Sequence, residues 1–505
     1  MQFEPHVETF TATYDRGEPQ VVWTTLVADL ETPVSAFLKL AGGKPMSFLL
    51  ESVEGGAVRG RYSIIGMEPD LVWRTVNGTA EINRNARHAP DTFTACGEAP
   101  LTALRTLLAE SRIALPDALP PMAAGVFGYL GYDMVRLMEE LPEPNPDPIG
   151  IPDAVLIRPT VIVVFDAVQD SMTAVTPVRP EAGVTAKAAL ARATERLSAV
   201  VDALDRPLEH APSNGAAGPI MVAPTSNTTP AEFTAMVAKA KDYIAAGDIF
   251  QVVLAQRFEA PFELPPFALY RALRRVNPAP FLYYLDFGGY AVAGSSPEIL
   301  VRLRDNVVTI RPLAGTRPRG ATAESDKALE AELLADPKER AEHLMLLDLG
   351  RNDVGRFARI GSVKVTDQYQ IERFSQVMHI VSNVEGELDS KYDSLDALAG
   401  GFPAGTVSGA PKVRAMEIID ELEKERRGLY AGCVGYFSAA GEMDTCIVLR
   451  TALVKDGVMY VQSGAGIVAD SDPASEQQEC VNKAKALFRA AEEARRFASA
   501  AQRGQ

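Results

Sequence analysis

The sequence predicts an α+β fold: layered, sandwich-like, mostly antiparallel β-sheets with helices packed outside them. Three observations carry this expectation. Strand-like alternation comes in long stretches interrupted by single helical segments, and a regular β-α-β series is missing. Hydrophobic residues make up 47% of the chain, enough to bury a large core. The length of 505 residues suits two or three ordinary domains, or one large domain with an extra layer.

In the N-terminal part, alternation predicts strands near 47–53, 60–66, 71–76, 123–130 and 160–176, and helical spacing predicts helices near 33–40, 101–112 and 182–203. Residues 205–230 are rich in Pro, Gly, Ser, Asn and Thr and read as a linker. They divide the chain into an N-terminal part, 1–215, and a C-terminal part, 216–505. The C-terminal part opens on Thr229, Pro230 and Glu232, a capping box with proline at the first helical position. Phe233, Met236, Val237 and Ala240 follow at helical spacing, and Gly247 is a natural stop. Strands are expected at 250–258, 290–304, 306–311, 431–438, 444–454 and 457–463, and helices at 326–349, 410–424 and 474–496.

The net charge of −16 argues against nucleic acid as a partner. An acidic protein that binds an acidic metabolite needs a local cation, either Arg/Lys or a metal. The cysteines Cys96, Cys433, Cys446 and Cys480 form no C-x-x-C pair, so neither a zinc site nor a disulfide framework is expected. No apolar run is long enough to span a bilayer, and the N-terminus carries no hydrophobic signal region. These features predict a cytoplasmic protein with no membrane partner.

Several residues stand out chemically. Glu339 and Glu342 lie three apart on a predicted helix, as do Glu476 and Glu479, so each pair shares a helical face. Facing one another, the pairs would form an oxygen-rich site suited to Mg²⁺; on spacing alone, a solvated charged face is the commoner outcome. Gly464, Ala465 and Gly466 open a G-x-G-x-x-A run, and Gly405 to Gly409 form a second glycine loop. Both can bring backbone N–H groups close to an anion, but Asp470 to Pro473 stand where a dinucleotide-binding helix would have to continue. Cys433 is flanked by glycines like an amidotransferase nucleophile, yet its alternating surroundings read as strand, which makes it structural. His379 and Arg450 sit in apolar runs. A core histidine is the plainer reading of the first; a buried guanidinium, costly unless paired, suits a carboxylate ligand.

Taken in order, residues 294–300, 311–317, 338–343, 348–353 and 402–412, the Gly464–Gly466 loop and Glu476/Glu479 strongly resemble the chorismate-utilising enzymes, and most closely their anthranilate-forming large subunits. The resemblance covers essentially all of 230–488 and, more loosely, 30–170. It implies that fold, and Glu342 and Glu479 as Mg²⁺ ligands, with Glu339 and Glu476 holding metal-bound waters. It implies that Arg450, Lys483 and the backbone of Gly409, Gly464, Ala465 and Gly466 hold the carboxylates of chorismate, in a pocket lined by Thr406, Tyr430 and Thr316. Glu298 would be the general acid for the departing C4 hydroxyl, and His379 would assist loss of pyruvate as base or by orientation.

Two positions separate relatives within the resemblance. Isochorismate-forming members carry a water-activating lysine where Gln251 stands. Aminodeoxychorismate synthases carry a nucleophilic lysine where Ala314 stands. Both substitutions point to ammonia as nucleophile and anthranilate as product, with aminodeoxychorismate formation as the alternative and a non-catalytic, tryptophan-sensing subunit as a reading of a different class. The resemblance also implies feedback by tryptophan at Glu51, Ser52, Pro280, Leu282, Tyr283, Val434, Tyr436 and Cys446. With no amidotransferase segment visible, it implies a separate glutamine amidotransferase small subunit, in a heterotetramer.

Overall fold

A computed structural model describes residues 2–54, 58–208, 223–374 and 377–497. The centre of the expected linker, 209–222, lies outside the described residues. The architecture is two antiparallel sheets packed face to face, with helices on both outer surfaces. In the first sheet, Gln20–Val27 pairs with Ser171–Val178, which continues to Ala154–Asp166, Val58–Val76 and Ser47–Glu54. Ser47–Glu54 then pairs with Phe281–Asp286, and the order runs on through Tyr290–Ser296, Thr451–Lys455, Val458–Ile467 and Gln251–Pro261. The second sheet runs from Thr79–Asn83 through the other ends of Val58–Val76 and Ala154–Asp166 to Gly125–Leu130, Cys433–Ser438, Met443–Ile447, Ile299–Arg304 and Val307–Ile310. It ends on Val377–Glu387, flanked by Leu313–Pro318 and Lys364–Arg373.

Strands that change sheets build the corners of such a sandwich. Val58–Val76 and Ala154–Asp166 do so together, with a register shift where Pro69 faces Pro159. The sequence reading split the first into two strands and ran 160–176 as one. The prolines explain the first error: they mark a bend without ending the strand.

Alternating side chains define the layers. Phe48, Ile162, Tyr283 and Leu453 of the first sheet meet Phe127, Tyr129, Val434 and Tyr436 of the second in one buried cluster. The outer face of the first sheet packs against Pro33–Leu40, Ala186–Leu204, Pro266–Val276 and Pro473–Glu493. The outer face of the second packs against Pro100–Glu110, Pro337–Gly355 and Ser394–Gly401. No helix among the described residues is long and apolar enough to cross a membrane.

The helix Pro230–Ala246 begins and ends as its sequence predicts. Thr229 and Glu232 complete the reciprocal cap, and Gly247 takes φ 85°. The expected helix 326–349 is instead two, Ala323–Ala335 and Pro337–Gly355. Asp336 turns the chain and caps the second, its Oδ1 accepting from the N–H groups of Lys338 and Glu339. Asp followed by Pro is a helix start, and it places Glu339 in a first turn, where the helix dipole favours a carboxylate.

Candidate active site

Two predicted strands are broken, and each break carries a site residue. The stretch 290–304 is interrupted at Pro297 and Glu298, where the chain leaves the first sheet for the second. The stretch 444–454 is interrupted at 448–450, where it returns. The breaks lie side by side: Ile447 N–H donates to Glu298 O (3.0 Å) and Ser295 N–H to Arg450 O (3.2 Å). Arg450 takes φ 47°, a conformation that costs a non-glycine residue about 1–3 kcal/mol and persists where the surroundings over-determine it.

These breaks open onto a cavity of about 780 Å³, the volume of a small-molecule site. Of the catalytic and substrate-binding residues expected from sequence, Glu298, His379, Thr406, Gln251, Ala314, Arg450, Tyr430, Gly464, Gly466, Lys483 and Thr316 line it, as do Glu339, Glu342, Glu476 and Glu479.

Glu298 is 6% exposed, and burial pushes its carboxyl up to about 8. The backbone N–H of Leu313 opposes this only in part. Thr406 opposes it more than Leu313 does, although its hydroxyl completes no hydrogen bond of good geometry. At neutral pH Glu298 is therefore a buried carboxylic acid, able to give up a proton.

His379 is 5% exposed. Its Nδ1 lies 2.9 Å from Thr316 Oγ1 and 3.2 Å from Gly315 O. A carbonyl only accepts, so Nδ1 carries the proton. Nε2 has no protein partner, and burial, with Arg450 next in effect, lowers the imidazole to about 4. The ring is neutral, with its free lone pair on Nε2.

Arg450 faces the same cavity, its pKa lowered by burial. Among the described residues no carboxylate pairs with it. A desolvated, unpaired guanidinium is costly, and an anionic ligand removes that cost. Lys483 donates to Gly464 O (2.9 Å) and pairs with Glu479 (2.7 Å).

The glutamates converge from two helices. Burial raises the carboxyl of Glu342, and the charges of Glu339 and Glu479 raise it further. Burial likewise raises Glu476, with Glu479 adding to it. Mutual repulsion of this kind is what a cation relieves, so the donor set fits a hard divalent ion. Among the described residues no three acidic, histidine or cysteine side chains lie close enough together to hold a metal.

Two expected residues lie off the cavity wall. Ala465 points its methyl into the apolar cluster behind the sheet, because strand alternation turns it opposite to Gly464 and Gly466. Gly409 (φ 138°) backs Gln251: a Cβ there would come 2.2 Å from Gln251 O. Its bare backbone seats the strand that carries Gln251, whose amide donates to Glu342 Oε1 (3.2 Å).

The sequence matches the chorismate binding enzyme family over residues 68–489. This chain belongs to that family. The chorismate binding enzymes most similar to it include anthranilate synthase component 1 of Cereibacter sphaeroides, 58% identical over 98% of this chain and 99% of the relative. The Thermus thermophilus protein of the same name is 48% identical over 93% and 97%. Among solved structures, anthranilate synthase component I from Streptococcus pneumoniae aligns with TM-score 0.74 at 37% identity, covering 92% of this chain and 98% of that one. The isochorismate synthase MenF from Escherichia coli shares the fold at TM-score 0.70 and 21% identity.

Within this family's frame, the proposed effector residues divide by strand face. Ser52, Tyr283, Val434, Tyr436 and Cys446 turn toward the inter-sheet core, and half-buried Pro280 leads into the same strand as Tyr283. Glu51 and Leu282 turn the other way. Glu51 is held by Tyr270 (2.6 Å) and Arg274 (2.9 Å) beneath the helix Pro266–Val276, so its carboxylate already has partners. Cys433 is buried and free, and burial pushes its thiol up to about 12, which suits a core residue better than a nucleophile.

Sequence reasoning assigned no role to two further groups. Arg427, buried against Glu423, donates to Val407 O and Val253 O (both 2.6 Å) and so ties two cavity-lining segments together. Its partner at i−4 on a helix end was a readable signal. Arg317 lay within a quoted motif without a role; it holds Glu339 (3.0 Å).

Proposed function

We propose that this chain is the large subunit of an anthranilate synthase, a cytoplasmic enzyme that converts chorismate and ammonia to anthranilate and pyruvate. The observation that carries this reading is Glu298: a carboxylic acid protonated at neutral pH, in one cavity with an unpaired Arg450 and with no lysine at Gln251 or Ala314.

Arg450 and Lys483 hold carboxylates of chorismate. Ammonia adds at C2 while Glu298 gives its proton to the C4 hydroxyl, which leaves as water; the new ammonium centre sheds a proton. The product of this step is 2-amino-2-deoxyisochorismate. Loss of the C2 proton then expels the enolpyruvyl group as pyruvate and makes the ring aromatic. His379, neutral and with a buried, unpartnered Nε2, serves this second step. Ala314 leaves room for a free amine where a lysine would crowd it.

Glu342 and Glu479 would hold Mg²⁺ directly, and Glu339 and Glu476 would hold it through water. Bound there, the ion supplies charge neutralisation for a substrate carboxylate. A separate glutamine amidotransferase subunit would supply ammonia, and tryptophan would inhibit through the inter-sheet cluster around Ser52, with Glu51 and Leu282 contributing backbone.

The test is the isolated chain with chorismate, Mg²⁺ and an ammonium salt. Fluorescent anthranilate and equimolar pyruvate are expected, and millimolar tryptophan should suppress both. A product that retains the enolpyruvyl group would overturn the reading.

A further inference from the structure

The two Glu-x-x-Glu pairs share a feature that spacing does not reveal. In each, one carboxylate is already held by a cation of the protein. Glu339 Oε1 lies 3.0 Å from Arg317 Nη1, and Glu479 Oε1 lies 2.7 Å from Lys483 Nζ. Among the described residues the other member of each pair forms no ion pair, although the charge of Lys338 favours both, and it is the one whose carboxyl is raised, chiefly by burial: Glu342 and Glu476.

We infer that Arg317 is a resident counter-cation that competes with the divalent ion for Glu339, and so sets the affinity of the cluster. This rests on the metal assignment proposed above. The geometry makes the exchange cheap on the protein side. Arg317 also donates through Nε to Glu332 (2.9 Å), through Nη2 to Asp336 (2.7 Å) and through Nη1 to Thr316 O (3.0 Å). When Glu339 turns away, the guanidinium keeps a partner on each nitrogen, so no buried charge is stranded. Lys483 is arranged alike, with Gly464 O as its second acceptor.

Arg317 is thus a positioning residue. It stands on Leu313–Pro318, the strand of Ala314 and Thr316, and grips both the cap and the first turn of the helix that carries Glu339 and Glu342.

The competition predicts opposite signs for two substitutions. Arg317→Met frees Glu339 and tightens Mg²⁺ binding, roughly three- to five-fold for a pair of this exposure. Glu332→Gln removes a carboxylate that draws Arg317 away from Glu339, and weakens Mg²⁺ binding about two-fold. Glu332 is 60% exposed, so this variant puts folding at little risk. The measurement is calorimetric titration of the full chain with MgCl₂ in the absence of chorismate, with the melting temperature of each variant recorded alongside. Looser or unchanged binding in Arg317→Met, or tighter or unchanged binding in Glu332→Gln, overturns the competition and leaves Arg317 as a structural tie. An unsubstituted chain that gives no Mg²⁺ heat overturns the metal assignment as well, which separates the two failures.

Discussion

Glu298 and Arg450 occupy the two adjacent joints at which the chain crosses between sheets, and each carbonyl accepts a backbone hydrogen bond from the other's segment. The proposed acid and the proposed anion ligand are therefore fixed relative to each other by main chain, not by flexible loops. Placement on such a scaffold holds reacting groups to the sub-ångström tolerance that catalysis needs.

Glu298 must be protonated to act. Its carboxyl is raised from 4.5 to about 8, so activity is expected to hold through neutral pH and fall as pH rises through about 8. Glu298→Gln should cost roughly 10²–10⁴ in kcat and flatten that limb. Keeping a raised acid ionised opposes folding: its stabilising effect is full below 4.5 and lost as pH rises through about 8. Glu298→Gln should accordingly gain melting temperature over the parent more at pH 8.5 than at pH 6. Equal activity in parent and variant would remove Glu298 from the mechanism.

Arg450 combines positive φ, partial burial at the cavity wall and, among the described residues, no acidic partner. Arg450→Gln keeps a polar group but loses the charge, so the KM for chorismate should rise roughly 10- to 100-fold, the worth of a charged hydrogen bond. The fold itself should be no less stable, because a partly desolvated cation without an acidic partner is gone. A marked loss of melting temperature with an unchanged KM would assign Arg450 to structure instead.

His379 depends on Thr316 for its orientation. Thr316→Val removes the hydroxyl while nearly keeping the shape, and should slow pyruvate release about ten-fold, with His379→Ala slower by roughly 10²–10⁴. In both, 2-amino-2-deoxyisochorismate should accumulate, because Glu298 still completes the first step. A quench-and-chromatography time course reads this out. Equal slowing of both steps, with no intermediate, would argue against a role confined to the second.

The layered antiparallel fold and the cavity residues were largely legible because sheets and helices write their periods into the chain, and because several motifs recur in order. What escaped was local. Glu298 and Arg450 sit where alternation continues in sequence but the backbone changes sheets, and no period records that. The outward turn of Glu51 follows from a one-residue phase choice on a strand buried on both faces, where both phases are apolar. The break at Asp336 was readable from the proline after it and was outweighed by the helical pattern on either side. The pair of Lys483 with Glu479 is an i,i+4 neighbour readable from the sequence, whereas the ion pairs of Arg317 join groups distant in sequence, and only coordinates reveal them.

Glu342 is the carboxylate of the cluster with the most to lose from charge. Burial raises its carboxyl first, then Glu339 and Glu479 do, and the Gln251 amide and the charge of Lys338 offset this only in part. Glu342→Gln relieves that repulsion, so its melting temperature without Mg²⁺ should equal or exceed the parent's. A divalent ion supplies several kcal/mol of charge stabilisation, so activity should fall at least about 100-fold and the heat of Mg²⁺ binding should disappear. A chelator should abolish parent activity, and added Mg²⁺ should restore it. The combination is diagnostic, since a structural glutamate would lose stability and activity together. Retained activity in Glu342→Gln, or a parent indifferent to the chelator, would refute the metal assignment.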